Sequence, residues 1–298
     1  MKKINILSLT QACNSLQKGS YTGFLSYYGI GIKNDEVNDL ASLVKILSGQ
    51  TSSKNIFNQF YVGYKIPQIG KEFDLLRFGK YYIINIELKQ TSTPEKILKQ
   101  LKRNNYYLSF INGKIYNFCF QSDIGKLFYL NDNEVLENVD FTYLITLLED
   151  QQIDDITNID NLFNPSNYLV SPFNSTEKFI KDEYFLTKQQ ETFKSEIVKA
   201  IEDKTTASFI SITGSAGTGK TLLTYDIAKE LRLVGKKSLI IHCGILNNGH
   251  VKLKTEHGWD ITSIKNYYMH ELSDYDVIII DEAQRIYPNQ LETFARTS

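Results

Sequence analysis

The run Gly214-Ser215-Ala216-Gly217-Thr218-Gly219-Lys220-Thr221 matches the pattern GxxxxGK[ST] without a mismatch. Glycines at this spacing let a backbone curl until successive N–H groups and a helix N-terminus face the same phosphate oxygens. Lys220 would then reach the β- and γ-phosphates of ATP, and the Thr221 hydroxyl would coordinate Mg²⁺. Some 60 residues after Thr221, the apolar run Val277 to Ile280 leads directly into Asp281-Glu282. A buried strand that ends in a carboxylate sets Asp281 at the carboxyl edge of a sheet, beside the loop, where it can hold the Mg²⁺ water shell. Glu282 follows as the group that polarises an attacking water. An apolar strand ending in Asp-Glu is otherwise just a strand entering a loop, and its distance from the phosphate loop is what gives it meaning.

A second constellation consists of Asp74, twelve intervening residues, and then Glu87-Leu88-Lys89. Glu87 and Lys89 are two apart on a strand, so they point to one face. Two carboxylates on neighbouring strands can share a Mg²⁺ while the lysine lies beside the attacking water. The metal lowers the water's pKa and neutralises phosphate charge. Charged residues in an alternating hairpin ordinarily form its solvated face. Here the surrounding Tyr82, Ile83, Ile84, Ile86 and Leu88 are apolar, which argues against a generic wet face. Downstream, Lys96, Lys99, Lys102 and Arg103 are spaced as a basic helical stripe, which would either track phosphates or form a solvated surface.

These residues require particular elements to position them. Residues 34–48 place Val37, Leu40, Val44 and Leu47 at helical spacing, with Gly49 as a stop signal. Residues 56–64 are β-rich. Glu72 to Phe78 and Tyr81 to Leu88 read as a hairpin about the turn Gly79-Lys80. Thr93-Pro94 starts a helix that runs to about Asn104. Tyr106 to Ile111 and Lys114 to Phe120 read as another hairpin about Asn112-Gly113. From Gln151 to Ser175 the chain is rich in Asp, Asn, Pro and Ser, which marks a boundary near residue 165. Beyond it, helices at Leu186 to Glu202 and Lys220 to Val234 alternate with strands at Ser208 to Thr213, Lys237 to Cys243 and Asp276 to Asp281. That alternation implies a parallel, doubly wound sheet.

Composition narrows the classes. At 298 residues the chain is long enough for two domains. With 42% hydrophobic and 22% charged residues it is not a disordered chain. Its 33 basic residues against 34 acidic ones create no global positive field, so nucleic acid would have to be met by local patches. Cys13, Cys119 and Cys243 are odd in number and widely spaced, which excludes a disulfide framework or a cysteine zinc site. His242, His250, His257 and His270 lack metal-ligand spacing. No apolar run reaches bilayer length and no secretory signal is expected, so a soluble, cytoplasmic protein without a membrane partner is expected.

Two resemblances follow from these residues. Asp281-Glu282-Ala283-Gln284 resembles motif II of superfamily 1 helicases. Leu186-Thr187-Lys188-Gln189-Gln190, some 24 residues before the phosphate loop, resembles that family's glutamine motif. The resemblance implies that Gln190, or its neighbour Gln189, bonds the adenine edge. Residues 168–298 as a whole look like the entry to a Schlafen-type helicase domain of bacterial proteins. The first constellation resembles the PD-(D/E)xK nuclease fold, with Phe73-Asp74 in place of Pro-Asp. That likeness brings in Gln100 as a fourth contributor and Glu36 as a further carboxylate. It implies an α/β protein in three parts. Residues 1–160 form a PD-(D/E)xK-like α/β/α nuclease domain, and residues 161–180 a linker. Residues 181–298 form the first part of a RecA-like P-loop parallel-sheet domain, incomplete because only 17 residues follow Asp281. A superfamily 1 motor has a second RecA-like domain, so the missing motor half is expected in cis or in trans.

The implied activity is a Mg²⁺-dependent nuclease coupled to an ATP-hydrolysing motor, of the kind used against phage or other foreign DNA. Its partner would be nucleic acid, DNA ahead of RNA. Two other readings stay open. One is a nucleotide-gated nucleic-acid-binding sensor whose N-terminal module is not catalytic. The other is an RNA-directed enzyme, since DNA and RNA offer the metal the same phosphodiester.

Overall fold

Apolar residues recurring at helical spacing and then in alternation build the first half of the chain. In this computed structural model, which describes residues 1–67, 69–202, 209–290 and 292, three helices come first: α1 (Ile6–Ser15), α2 (Lys18–Tyr28) and α3 (Asn34–Gln50). Leu40, Leu43, Val44 and Leu47 of α3 are buried in the main core. The helix carries through Gly49 and ends at Thr51, whose N–H bonds the Leu47 carbonyl. A glycine in the last turn costs only about 1 kcal/mol, which does not halt a helix whose apolar face is already packed.

Strands β1 (Tyr61–Lys65), β2 (Glu72–Phe78) and β3 (Tyr82–Lys89) follow. Residues 55–57 form a single 3₁₀ turn, which takes in the buried Ile56 and Phe57 at the start of the stretch expected as a strand. Next come α4 (Pro94–Leu108), β4 (Lys114–Gln121), β5 (Lys126–Leu130), β6 (Leu136–Val139) and α5 (Phe141–Asp150). Thr93 caps α4 through its side-chain oxygen, and Pro94 occupies the first turn.

The helix α4 runs past Asn104 to Leu108, so Tyr106 to Leu108 are helical where the sequence suggested a strand. The reason is periodic: Ile97, Leu101, Asn104 and Leu108 are all buried on one face, and that stripe extends the helix. The consequence is topological. The expected hairpin about Asn112-Gly113 is absent, and β4 instead pairs in parallel with β3, from Tyr82 opposite Lys114 to Lys89 opposite Gln121. A parallel pair needs a crossover, and α4 is that crossover.

The six strands lie in the order β1-β2-β3-β4-β5-β6, antiparallel except at β3 and β4. Ile84, Ile86 and Leu88 of β3 pack into the core with α1, α3 and α5. On the other face the Asn85 amide donates to Asn117, which in turn donates to the Leu101 carbonyl of α4. The central strand is therefore covered on both sides, and Glu87 on the α4 side is buried.

The chain divides into two units, Met1–Tyr168 and Leu169–Ser298. Residues 161–180 are structured: Phe163 lies against Tyr64 and Phe73 in the first unit, and Phe179 belongs to the core of the second. The second unit contains α6 (Thr176–Ile180), α7 (Lys188–Glu202), α8 (Lys220–Leu233), β7 (Ser238–His242), α9 (Asn248–His257), β8 (Asp260–Ser263) and β9 (Val277–Asp281). Its sheet is parallel, in the order β8-β7-β9. The core gathers Tyr225, Trp259, Phe179, Leu231 and Ile240.

Of the strand expected over Ser208 to Thr213, the described residues 209–213 form no strand. Ser208 lies outside the described residues, and residues 209–213 make no ladder. Among the described residues β9 pairs only with β7, and Phe209 is 70% exposed. A strand without a partner leaves its N–H and C=O groups to water, and no sheet order holds it. Among the described residues no helix is long and apolar enough to cross a membrane.

Candidate active sites

The antiparallel register of β2 and β3 reaches Leu75 opposite Ile86, and Asp74 and Glu87 stand one step beyond. Directly opposed residues share a face, so the two carboxylates point to the α4 side together. Lys89 joins them: its Nζ lies 3.4 Å from Glu87 Oε2 and 3.9 Å from Asp74 Oδ2. One ammonium thus bridges both acids. The Leu88 N–H donates to Asp74 Oδ2 at 2.8 Å and fixes that carboxyl at the strand end.

Two residues that the sequence reading passed over complete the cluster. Asn104 of α4 donates to Glu87 Oε1 at 2.8 Å, and Lys71 Nζ lies 3.7 Å from the same oxygen. Gln100 does not touch the acids; its amide donates to Asn104 Oδ1 at 3.1 Å and orients that side chain. The position four residues on from Gln100 was the readable signal for Asn104, since i and i+4 share a helix face. Nothing in the sequence marks Lys71.

Glu36 is also placed elsewhere. Its carboxylate accepts from the Lys33 N–H at 3.1 Å and closes the start of α3. One turn on, Asp39 accepts from the Ser122 hydroxyl, and the Ser122 N–H bonds the Lys89 carbonyl at 2.9 Å. Of the basic stripe, Lys102 pairs with Glu134 at 2.7 Å.

Charge and burial act on this cluster in opposing ways. Burial, and then the negative charge of Glu87, push the Asp74 carboxyl up to about 8. Burial would also raise Glu87, but Lys71, Lys89 and the Asn104 amide outweigh it and hold Glu87 below the usual carboxylate range. Lys71 is lowered by burial, which Glu87 and Asp74 only partly offset. Cys119, paired with Glu87 across β3 and β4, is pushed up to about 12 by burial, so it is no nucleophile.

In the second unit Gly219 caps α8 in the left-handed region at φ 77°, and Lys220 begins the helix. A side chain at Gly219 would be strained by that φ and would meet the Gln190 amide at 2.5 Å. The loop is exposed to solvent. Lys220 Nζ donates to the carbonyls of Gly214 and Ser215 at 2.9 and 2.8 Å, groups that a phosphate would replace as its partner. The Thr221 hydroxyl donates to Asp281 Oδ1 at 3.1 Å. A hydroxyl and a carboxylate oxygen in contact form a donor set suited to a hard cation.

Gln190 sits at this loop, donating to the Thr218 carbonyl at 3.0 Å while its Oε1 accepts from the Thr187 N–H at 2.8 Å. Gln189 is exposed. Glu282 takes the left-handed conformation at φ 57°. Its carboxylate accepts from the Gln284 amide at 2.6 Å and lies 3.5 Å from Arg285 Nε.

Asp281 has a further partner that the sequence does not disclose. The register of β7 and β9 sets His242 opposite Asp281, and His242 Nδ1 lies 3.2 Å from Asp281 Oδ2. The His242 ring is 4.6 Å from that of His250, which stacks on Phe173 at 4.3 Å. The sheet pairing brings His242 to Asp281. His257 does approach Glu177 and Glu256, with ligand atoms within 4.8 Å, but Lys252 is ion-paired to both glutamates.

Comparison with protein-family models, curated proteins and solved structures gives no match. The functional reading therefore rests on the two sites themselves.

Proposed function

We propose that the chain is a Mg²⁺-dependent nuclease joined to an ATP-hydrolysing motor element acting on nucleic acid, DNA in the first instance. In this reading the first unit is a PD-(D/E)xK-like domain and the second the start of a RecA-like one. The observation that carries it is the bridging of Asp74 and Glu87 by the Lys89 ammonium. A single cation already reaches both acids, so their spacing suits a metal that both would bind.

Asp74 and Glu87 would hold the Mg²⁺, which when bound supplies charge neutralisation at the phosphodiester and a more acidic water. Lys89 would orient the attacking water and stabilise the charge that develops on phosphate oxygens. Asn104 fixes the Glu87 carboxylate, and the Leu88 N–H fixes that of Asp74. In the second unit Lys220 and the loop N–H groups from Gly214 to Gly219 would bind the β- and γ-phosphates of ATP. Thr221 and Asp281 would hold the nucleotide's Mg²⁺, and His242 would keep Asp281 turned toward Thr221. Glu282 would orient the attacking water, and Gln190 would contact the adenine edge or the loop.

The test is cleavage of labelled single- and double-stranded DNA and RNA with Mg²⁺ or EDTA, by the wild type and by Lys89→Ala. Cutting that requires Mg²⁺ and disappears in the variant is the expected result. Cutting by the variant at the wild-type rate would remove Asp74, Glu87 and Lys89 from the reaction.

One observation favours a second reading. Both oxygens of Glu87 already have positively charged neighbours, as suits a first unit that binds nucleic acid without cutting it while nucleotide controls the second. In that case no metal binds at Asp74 and Glu87.

A further inference from the structure

Glu87 lies between two ammonium groups, Lys89 at Oε2 and Lys71 at Oε1. Lys71 is only 7% exposed. It sits over the Phe73 ring, with Nζ 4.5 Å from the centroid, and also donates to the Glu72 carbonyl oxygen. Taking an ammonium out of water is costly, and one carbonyl and one ring face do not replace its hydration. A lysine kept there uses its charge on Glu87.

The two flanking lysines differ in access. The Lys89 side chain is 37% exposed and bridges both acids, so it can swing away toward solvent. Lys71 has no such freedom. It is seated on the ring of Phe73 and meets the Glu87 oxygen that Lys89 does not.

Charge counting then limits what the site can hold. With both carboxylates ionised, as metal ligation requires, Asp74 and Glu87 contribute two negative charges. A pair of divalent ions would bring four positive charges onto two carboxylates, with the Lys71 ammonium fixed against one of them. The direction at Oε1 that a second ion would need is taken up by Lys71 and Asn104.

We infer that Lys71 is a positioning residue that restricts this site to one divalent ion, standing as a built-in positive charge at Glu87 Oε1. It acts through Glu87, occupying Oε1 together with Asn104 so that Oε2 remains for the ion. The inference rests on reading Asp74 and Glu87 as a metal pair.

The test is an Mn²⁺ titration at pH 8, followed by electron paramagnetic resonance, on the full chain carrying Asp281→Asn so that the second unit's carboxylate does not contribute. Binding that Asp74→Asn abolishes defines the site. Alongside the parent chain, Lys71→Gln keeps a hydrogen-bond donor without the charge, and Lys71→Arg keeps the charge. Circular dichroism establishes that each is folded.

The expected result is one ion per parent chain, about tenfold tighter Mn²⁺ binding in Lys71→Gln, and parent-like affinity in Lys71→Arg. A lysine serving only to pack would leave the ion affinity unchanged. Two ions in the parent chain, or a Lys71→Gln affinity within twofold of the parent, would overturn the role given to Lys71. If the parent binds no Mn²⁺ at Asp74, the metal pair and the inference fall together. If Mn²⁺ binding shifts as expected but the wild type cuts neither DNA nor RNA, the role of Lys71 stands and the nuclease reading fails.

Discussion

The two candidate sites handle charge in opposite ways. Around Glu87 the acids are neutralised from within by the buried Lys71, the half-buried Lys89, an asparagine and a backbone N–H. At the phosphate loop the work falls to exposed backbone, and Lys220 rests on two carbonyls of its own loop. In the first site the functional charges are also part of the fold. In the second they are separable from it.

The sharpest test of that contrast compares the stability of Glu87→Ala with that of Lys220→Ala. Losing Glu87 leaves Lys71 buried without its counter-charge, and breaking such a pair costs about 3–5 kcal/mol. Chemical denaturation followed by circular dichroism should show that loss, together with loss of all cleavage. Lys220→Ala, at a solvated loop, should stay within about 0.5 kcal/mol of wild type. Equal costs for the two variants would erase the distinction.

Activity should separate along the same line. Lys89→Ala is expected to lower Mg²⁺-dependent cleavage by about 100-fold or more while nucleotide binding, read by fluorescent ATP analogue titration, is unchanged. Lys220→Ala should abolish that binding and leave metal uptake at Asp74 intact. A variant that impairs both would show that the two sites are not independent.

A smaller effect is expected where the second site does use a buried side chain. His242→Ala removes a partner of Asp281, and loss of such an outer partner typically weakens metal binding about tenfold. Affinity for ATP with Mg²⁺ should fall by that factor, and affinity for ATP in EDTA should not. An equal fall in both would make His242 a packing residue only.

The smallest effect concerns pH. Burial, and then the neighbouring His242, hold His250 down at about 4, against a weaker opposing pull from Asp281. The unfolded chain takes up this proton near pH 6.5 and the folded chain does not. Stability of the second unit is therefore full above that pH and declines as pH falls toward 4. The single tryptophan, Trp259, is buried and stacked on Tyr225 at 5.9 Å, so its fluorescence reports this unit. His250→Gln, which keeps a side-chain acceptor for the start of α9, should flatten the slope. An unchanged slope would assign it to other groups.

How much of this could be read from the chain alone differs between the sites. Local devices were plain: the Thr93 cap with Pro94, the limits of β2, and the start of α8 at Lys220 all follow from neighbouring residues. The contacts of Asp281 with Thr221 and of Glu87 with Lys89 were also implied by spacing. Asn104 could have been found from its place one turn after Gln100, but Lys71 and His242 could not. His242 acquires its partner through the register of β7 and β9, and Lys71 reaches Glu87 from the turn before β2; no local pattern encodes either. The same limit explains the missed crossover, because the Asn112-Gly113 pair suits a hairpin turn and only the buried stripe of α4 overrides it. It also explains residues 209–213, where β-forming residues alone do not make a strand without a ladder.

Glu282 shows where two kinds of selection part. A glutamate in the left-handed region at φ 57° is less comfortable than the glycine or asparagine that the turn would accept without strain. A lineage chosen only for durability would drift away from glutamate at this position, since the left-handed region costs such a residue roughly 1 kcal/mol. If Glu282 orients water as proposed, tolerance at residue 282 measures how strongly function, rather than folding, constrains this turn.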